Sequence, residues 1–501
     1  MKKISIKNIL ALTALLSLGA CQKKLDLLPY SSIELSQSFK TVKDATGWNN
    51  GLYSDLRARV YGAYMFSQDV QADQLNATLD YGNRNGFPHR WGNSFAASDG
   101  ALSTAWGNDY TALKNVNLCI QNFPSIPATT TADIATMKKY TGDAYLARAY
   151  YYSDLIVRFA KPYEPATAAT DLGVPLVLVY DLNGQPARAT VKQVYDQILS
   201  DIAQAKTLLT TAGSIAANTF SKDAVLALEA RVRLNMQDWT GAMTAANSLI
   251  TSGVYPLVTT QADLTSMWAT DAARETIMQS FVSKPNELSN ANNIYLGFVS
   301  ATSVFDPDFI PTQAMLNMYE AADRRKPAYF AVKPVTINNT SYTTISLVNK
   351  YPGNSALFTT SVTNYQHAPK IFRIAEQYLI YAEAAVRAGG ATNEGLALTT
   401  LNLLRTSRAA STLTGLTGTA LFQAVKDERT RELAFEGFRL WDLKRWHQGF
   451  TRGTPQNLAA IQQGAEFNLI NIAADNYQFV WGIPTNDMSA NKSLVQNPGG
   501  W

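Results

Sequence analysis

The sequence predicts a mainly α-helical protein, built from packed helix pairs, with an irregular, loop-rich C-terminal half. Three observations lead there. Apolar residues recur at helical spacing over long segments. Alanine-rich stretches flank a short polar turn, the pattern of two helices that approach closely. A hydrophobic content of 46% over 501 residues supplies a large core, while only 16% of residues are charged.

The segments with helical spacing are, in chain order, residues 38–60, 140–159, 194–209, 222–250, 371–388 and 421–436. The clearest is IFRIAEQYLIYAEAAVRAGG, where Ile371, Ile374, Ala375, Tyr378, Leu379, Ala382, Ala385 and Val386 form one broad stripe. Gly389 and Gly390 supply its C-terminal stop. EGLALTTLNLLRTSR follows after a short linker, and the two are expected to pair as an antiparallel hairpin. The stretch ALEARVRLNMQDWTGAMTAANSLI, with its turn at Gln237 and Asp238, resembles a tetratricopeptide helix pair, which implies an α-α superhelical scaffold. Between the helical parts, residues 76–100 and 285–370 are rich in Asn, Thr and Tyr, a composition shared by ligand-carrying loops on a rigid scaffold and by plain long loops.

The N-terminus reads as an export signal. MKKISIKN is a basic region, ILALTALLSLGA an apolar run too short to span a bilayer, and Cys21 follows Leu18, Gly19 and Ala20. That junction resembles a bacterial lipobox, which implies acyl chains on Cys21 and a protein anchored to a membrane rather than spanning it. Residues 1–20 are then a signal peptide and residues 21–37 a lipidated tether, with the folded body beginning near Ser38. With Cys21 acylated, Cys119 has no cysteine partner, and its setting in LKNVNLCIQN predicts an inert buried thiol.

The formal charge is +4, and Lys2, Lys3 and Lys7 lie within the signal, so the remainder stands at +1. A near-neutral chain argues against nucleic-acid binding and mildly disfavours highly sulfated or uronic polymers, unless a local patch overrides the average. Only His89, His367 and His447 occur, in no ligand spacing, and no HExxH is present, so neither a metal site nor a cofactor is expected. Phosphate-binding loops and the GxSxG elbow are absent too. A glycosidase pair leaves no local signature; Asp69, Asp73 and Asp80 could in principle supply one, against the commoner role of hydrogen-bonded or solvated loop carboxylates.

The stretch ERTRELAFEGFRLWDLKRW, residues 428–446, with the preceding Asp427, crowds Asp427, Glu428, Arg431 and Glu432 onto one helical flank, expected to be a solvated or bridging face. Arg439, Asp442, Lys444 and Arg445 then alternate with Leu440, Trp441, Leu443 and Trp446, so aromatic anchors bury while guanidinium groups clamp neighbouring carboxylates or carbonyls. The acids Glu432, Glu436 and Asp442 spoil any phosphate-binding surface, leaving structural framing as the reading.

This stretch resembles the C-terminal hallmark of SusD-like (RagB/SusD) outer-membrane lipoproteins of Bacteroidetes. FRIAEQYLIYAEA and the ending VWGIPTNDMSANKSLVQNPGGW are similar to that family's signatures, as are LARAYYYSDLIVRFAKPYEP, LGVPLVL and LEARVRLNMQDWTGAMTAANSLITSGVYPL in the N-terminal half. The resemblance implies an N-terminal helical region over 38–270 and a RagB/SusD C-terminal region over 271–501. It also implies a non-enzymatic cell-surface lipoprotein that captures oligosaccharides, or in some members peptides, for a SusC-like TonB-dependent transporter. A secreted glycoside hydrolase and a pure interaction protein are the competing classes.

Ligand contacts vary among such proteins, so candidates rest on chemistry. Sugars present hydroxyls and apolar C–H faces, which flat aromatics and Asn, Asp, Arg or Gln side chains recognise together. YGNRNGFPHRWGN concentrates that inventory in Tyr81, Arg84, Asn85, His89, Trp91 and Asn93, beside Asn83 and Arg90. NANNIYLGF adds Asn293 and Tyr295, beside Asn292 and Phe298. Trp91 reads equally as a sugar platform or as a partly buried loop anchor, and Trp106 and Tyr110 are assigned to packing.

Overall fold

In the computed structural model, the described residues are 35–501 except Leu182. The signal peptide, Cys21 and most of the 21–37 tether lie outside them. The first long helix, α1 (Val42–Ala58), starts at a capping box in which Thr41 and Asp44 exchange side-chain and backbone hydrogen bonds. It is followed by α2 (Ala63–Gln71), α3 (Gly86–Arg90), α4 (Gly100–Asn122), α5 (Thr131–Phe159), α6 (Val191–Leu208), α7 (Lys222–Asn235) and α8 (Trp239–Ile250). Later come α9 (Ile374–Ala388), α10 (Ala391–Ser407), α11 (Gly418–Glu432) and α12 (Arg439–Arg445). Among the described residues, no helix is long and apolar enough to cross a membrane.

The scaffold is a stack of helix pairs: α5 with α6, α7 with α8, and α9 with α10. Small residues set their spacing. A Cβ on Gly142 of α5 would meet Leu208 and Leu209 side chains at 2.8–2.9 Å. Ala230, Ala242, Ala245, Ala246 and Ala384 form one buried seam across α7, α8 and α9. The turn between α9 and α10 is made by Gly389 and Gly390 at φ +74° and +85°, backbone that favours glycine.

Two features were not legible in the hydrophobic pattern. Helix α9 packs against α8 as well as α10 and α11, so Ile380, Glu383 and Ala384 are buried alongside the expected stripe. The array is also discontinuous. After α8 the chain leaves the scaffold and returns at α9, and Thr276–Gln279 pairs antiparallel with Lys370–Arg373 to pin both ends of the excursion. Within it, strands of two to four residues form small sheets, and Phe309–Pro311 pairs with Leu75–Ala77 of the N-terminal half. Strands this short carry no readable period.

The charged stretch folds into the interior. Glu428 and Glu432 are fully buried, which corrects the expectation of a solvated face and leaves the bridging role. Glu432 accepts from Arg408 through both oxygens, at 3.0 and 2.9 Å, from Arg373 at 3.1 Å and from Arg325 at 3.2 Å. Arg408 also grips Glu275 with two bonds of 2.8 Å. Glu428 takes Arg405 at 2.6 Å and Arg431 at 2.7 Å, and Arg325 makes a 2.7 Å charge contact with its other oxygen. Glu436 takes Arg373 and Lys350. The remaining residues of the stretch dock this half onto the scaffold. Arg439 clamps Asp73, the Gly437 N–H donates to Asp69, Lys444 donates to the carbonyls ending α5, and Arg445 and Trp446 donate to Glu383.

Such a network costs desolvation on assembly, and breaking it leaves buried charges without partners. Glu432→Gln should therefore lower stability by about 3–5 kcal/mol, read from denaturant midpoints. Burial pushes the Glu428 carboxyl up, but Arg325, Arg431 and Arg405 outweigh it and hold it at about 2, against 4.5 unfolded. Its contribution is complete above pH 4.5 and is lost as pH falls toward 2, so stability should drop steeply in that window. Asp69 has the opposite sign: burial raises it from 3.8 to about 7, despite hydrogen bonds from Tyr295 and Gly437. The folded state keeps its proton where the unfolded state has released it, so this group lowers stability as pH rises from about 4 to 7. Asp69→Asn should flatten that limb of the pH–stability curve; an unchanged slope would assign it to other groups.

Candidate functional site

The segment linking Leu75–Ala77 to α4 turns sharply because five residues adopt left-handed backbone: Gly82, Asn83, Asn85, Trp91 and Gly92. Glycine and asparagine tolerate that region; tryptophan does so at a cost that its packing must offset. Gly86 is required by space, since a Cβ there would meet Asn83 Oδ1 at 2.1 Å. Arg90 ties the turn shut, donating through Nη1 to Tyr81 Oη and Asn83 Oδ1, both at 2.6 Å.

This folding decides which side chains face outward. Trp91 is 2% exposed, its Nε1 donates to the Gln71 carbonyl at 2.8 Å, and its ring meets Phe450 and Phe479 edge-on. It is a core residue and offers no face to a ligand, contrary to the expectation from composition. His89 is equally buried: its Nδ1–H donates to the Val70 carbonyl at 2.8 Å, and Nε2 accepts from Arg452 at 3.0 Å. Burial and the adjacent guanidinium hold its pKa far below the ordinary histidine value, so the ring is neutral. Tyr81 is buried edge-on against Phe309 and Phe467. Tyr295 is fully enclosed beside Tyr351 and Phe435, with its hydroxyl on Asp69. These four are corrections: aromatic area is most stabilising when the polar tip finds a partner, and Trp91, His89 and Tyr295 donate to buried acceptors while the Tyr81 hydroxyl is held by Arg90.

Arg84, Asn85, Asn93 and Asn293 stay at the surface, whereas Asn292 is buried and accepts from the Gly62 N–H. Arg84 is 56% exposed at the side chain and pairs with Asp308. Asn93 and Asn293 are exposed, and Asn85 is half-exposed. Trp106 is buried in the main core, as assigned, with Tyr110 packed against it. Asp69, Asp73 and Asp80 are each engaged separately, on Tyr295 and Gly437, on Arg439, and on the Asn338 N–H.

Beside the turn lies an open groove of about 280 Å³, lined by Asn83, Asn85 and Phe87 on one side and by Ser67, Asp99 and Thr104 from α2 and the start of α4 on the other. Phe87 is 39% exposed, one of two phenylalanines left in water among the described residues, and the Arg90 guanidinium lies 5.3 Å from its ring centroid. Asp99 caps α4 by accepting from the Ala101 N–H at 2.7 Å, and burial raises its pKa. The groove thus joins one flat apolar surface to amide, hydroxyl and carboxylate groups. It brings Asn83 and Asn85 together and leaves out Arg84, Asn93, Asn293 and Tyr295. Phe87, Asp99, Ser67 and Thr104 were missed; an aromatic between glycine and proline in a polar turn was the one local signal for Phe87.

Comparison with known proteins fits this architecture. The model of the SusD family matches residues 308–501, and the model described as starch-binding associating with outer membrane matches residues 25–234. The chain is similar to SusD-like protein P38 of Formosa agariphila, at 25% identity covering 89% of this chain and 91% of that protein. Its fold is similar to that of a SusD superfamily protein from Bacteroides thetaiotaomicron, with TM-score 0.78, 24% identity, and coverage of 92% of this chain and 100% of the other. It is also similar to that of surface glycan-binding protein A from Bacteroides fluxus, with TM-score 0.68, 21% identity, and coverage of 92% and 100%. Two family models that match successive halves in order, on a scaffold of tetratricopeptide-like helix pairs, place the chain in the SusD-like family.

Proposed function

We propose that this chain is a cell-surface glycan-binding lipoprotein, anchored to the outer membrane through Cys21, that captures oligosaccharides and hands them to a SusC-like TonB-dependent transporter. The observation that carries the reading is the groove at the 81–93 turn, where the exposed Phe87 ring stands beside Asn83, Asn85 and Asp99. A sugar's C–H face would lie on the ring while its hydroxyls meet the amides and carboxylate. The turn is rigid because Trp91, His89 and Tyr81 are buried beneath it, so little ordering entropy opposes binding. Nothing in this role asks for bond making or breaking. The matching family model, described as starch-binding associating with outer membrane, and the likeness in fold to surface glycan-binding protein A of Bacteroides fluxus support the same assignment.

The direct test is a binding screen of the whole protein against plant, host and microbial polysaccharides and peptide pools, with product analysis on every hit. A retained glycan that stays intact supports uptake, retained peptides alone move the assignment to a peptide-binding member, and shortened products indicate a hydrolase. On a glycan hit, Phe87→Ala should weaken affinity at least tenfold. Asn85→Gly, which suits the left-handed backbone, should also weaken it. Both should change stability by less than about 0.5 kcal/mol, as for exposed positions. Trp91→Ala should behave oppositely, costing about 3–5 kcal/mol of stability through the cavity it leaves. Cys21→Ser should shift the protein out of the outer-membrane fraction; continued membrane association would point to an anchor other than lipid on Cys21.

A further inference from the structure

A second pocket, sharing no residue with the groove, opens between α5, α7 and the segment leading into α12, with a volume of about 130 Å³. Tyr150 and Ser153 from α5, Arg231 and Asn235 from α7, and Phe438 and Trp441 form its half-exposed walls. Arg231 is unusually well held. Its Nε and Nη2 donate to the two oxygens of Glu376, each at 2.7 Å, and Nη2 also reaches the Ile371 carbonyl at 3.1 Å. Its guanidinium carbon lies 4.9 Å from the Phe372 ring centroid and 5.2 Å from that of Phe438, so two aromatic rings fix it from its sides. The side chain nevertheless keeps 18% of its surface exposed.

The carboxylates on the pocket wall are already engaged. Asp154 accepts from Arg158 through both oxygens, Glu436 takes Arg373 and Lys350, and Asp442 takes Arg429 and Arg445. Glu376 and Glu383 neutralise Arg231 and Arg445 from behind the wall, and the Arg231 donors not engaged by Glu376 or the Ile371 carbonyl, those on Nη1, are the ones left for a ligand. A wall with saturated acceptors and an immobilised guanidinium favours an entering acceptor that carries negative charge. Aromatic walls favour an organic body attached to it. The volume is below the roughly 300–1,000 Å³ of drug-sized sites, so the ligand is small.

We propose that this pocket is a second binding site, for a small organic carboxylate whose anionic group meets Arg231 and whose carbon skeleton packs on Tyr150, Phe438 and Trp441. The site works independently of glycan capture at the 81–93 turn and does not rest on it. It would let a small acid bind at the junction where the charged stretch docks onto the scaffold.

The test is calorimetric titration of the whole protein, purified in detergent at low ionic strength, with sodium glucuronate, sodium succinate, sodium sulfate and glucose. Saturable one-to-one binding of glucuronate or succinate, with glucose silent, is the expected result. Ser153→Phe, which fills the pocket from a half-exposed position, and Arg231→Lys, which keeps the charge but loses the planar fork, should each weaken that binding at least tenfold. Neither should change retention of a neutral glycan at the groove. Absence of saturable binding by both acids, glucose binding as tightly as glucuronate, or binding of sulfate alone as an adventitious ion would each overturn the proposal. If Arg231→Lys fails to fold, Ser153→Phe decides the matter, because it leaves the Arg231–Glu376 pair in place.

Discussion

The constraint on which the rest of this structure depends is the burial of Glu432 among three arginines. Arg325, Arg373 and Arg408 come from a short helix in the excursion, from the strand that ends it, and from the end of α10, and they converge on one carboxylate of α11. Each charge would be costly alone, and the group is tolerable only if all partners arrive in the same geometry. The network therefore acts on specificity: it admits one arrangement of segments far apart in sequence and penalises others. Its extensions through Glu275, Glu428 and Glu436 fasten the same region at further points.

The second half of the same stretch converts that arrangement into a fixed relation with the helix pairs. Gly437, Arg439, Lys444 and Arg445 each reach a different element, α2, the residue following it by two, the end of α5 and α9. Gly437 sits at φ +79°, and a Cβ there would press on Gln68, so the chain passes α2 at a distance only glycine allows. The excursion is thereby held at both ends and across its middle. This explains how a loop-rich half can present defined surfaces without long strands or disulfides.

Both pockets profit from this rigidity, in different ways. The groove at the 81–93 turn is shaped by what lies beneath it: Trp91 against Phe450 and Phe479, and Arg452 donating to the Val70, Ala72 and His89 carbonyls. The pocket at Arg231 is shaped by the docking itself, because α5, α7 and the entry to α12 meet there. The first combines an exposed ring with amide, hydroxyl and carboxylate groups; the second surrounds a fixed guanidinium with rings. Their chemistry points to different ligands on one scaffold.

Much of this was legible in the sequence because it depends on local periodicity. Helix identity, the paired alanine seam, the glycine stop after α9, the buried Cys119 and the framing role of residues 428–446 all follow from spacing and residue type, and the family was readable from ordered motifs. The direction in which each side chain of the 81–93 turn points was not. Composition placed Trp91, His89, Phe87 and two asparagines within a few residues, but inward and outward were assigned by partners such as Phe450 and Phe479, hundreds of residues away. The depth of Glu428 and Glu432 was hidden for the same reason, since a helical flank of mixed charge reads as solvated until the arginines that cover it are known. The sequence by itself determined the helices and the family. Only tertiary structure decided which aromatics became core and which remained available, because burial is a property of long-range contacts rather than of residue type.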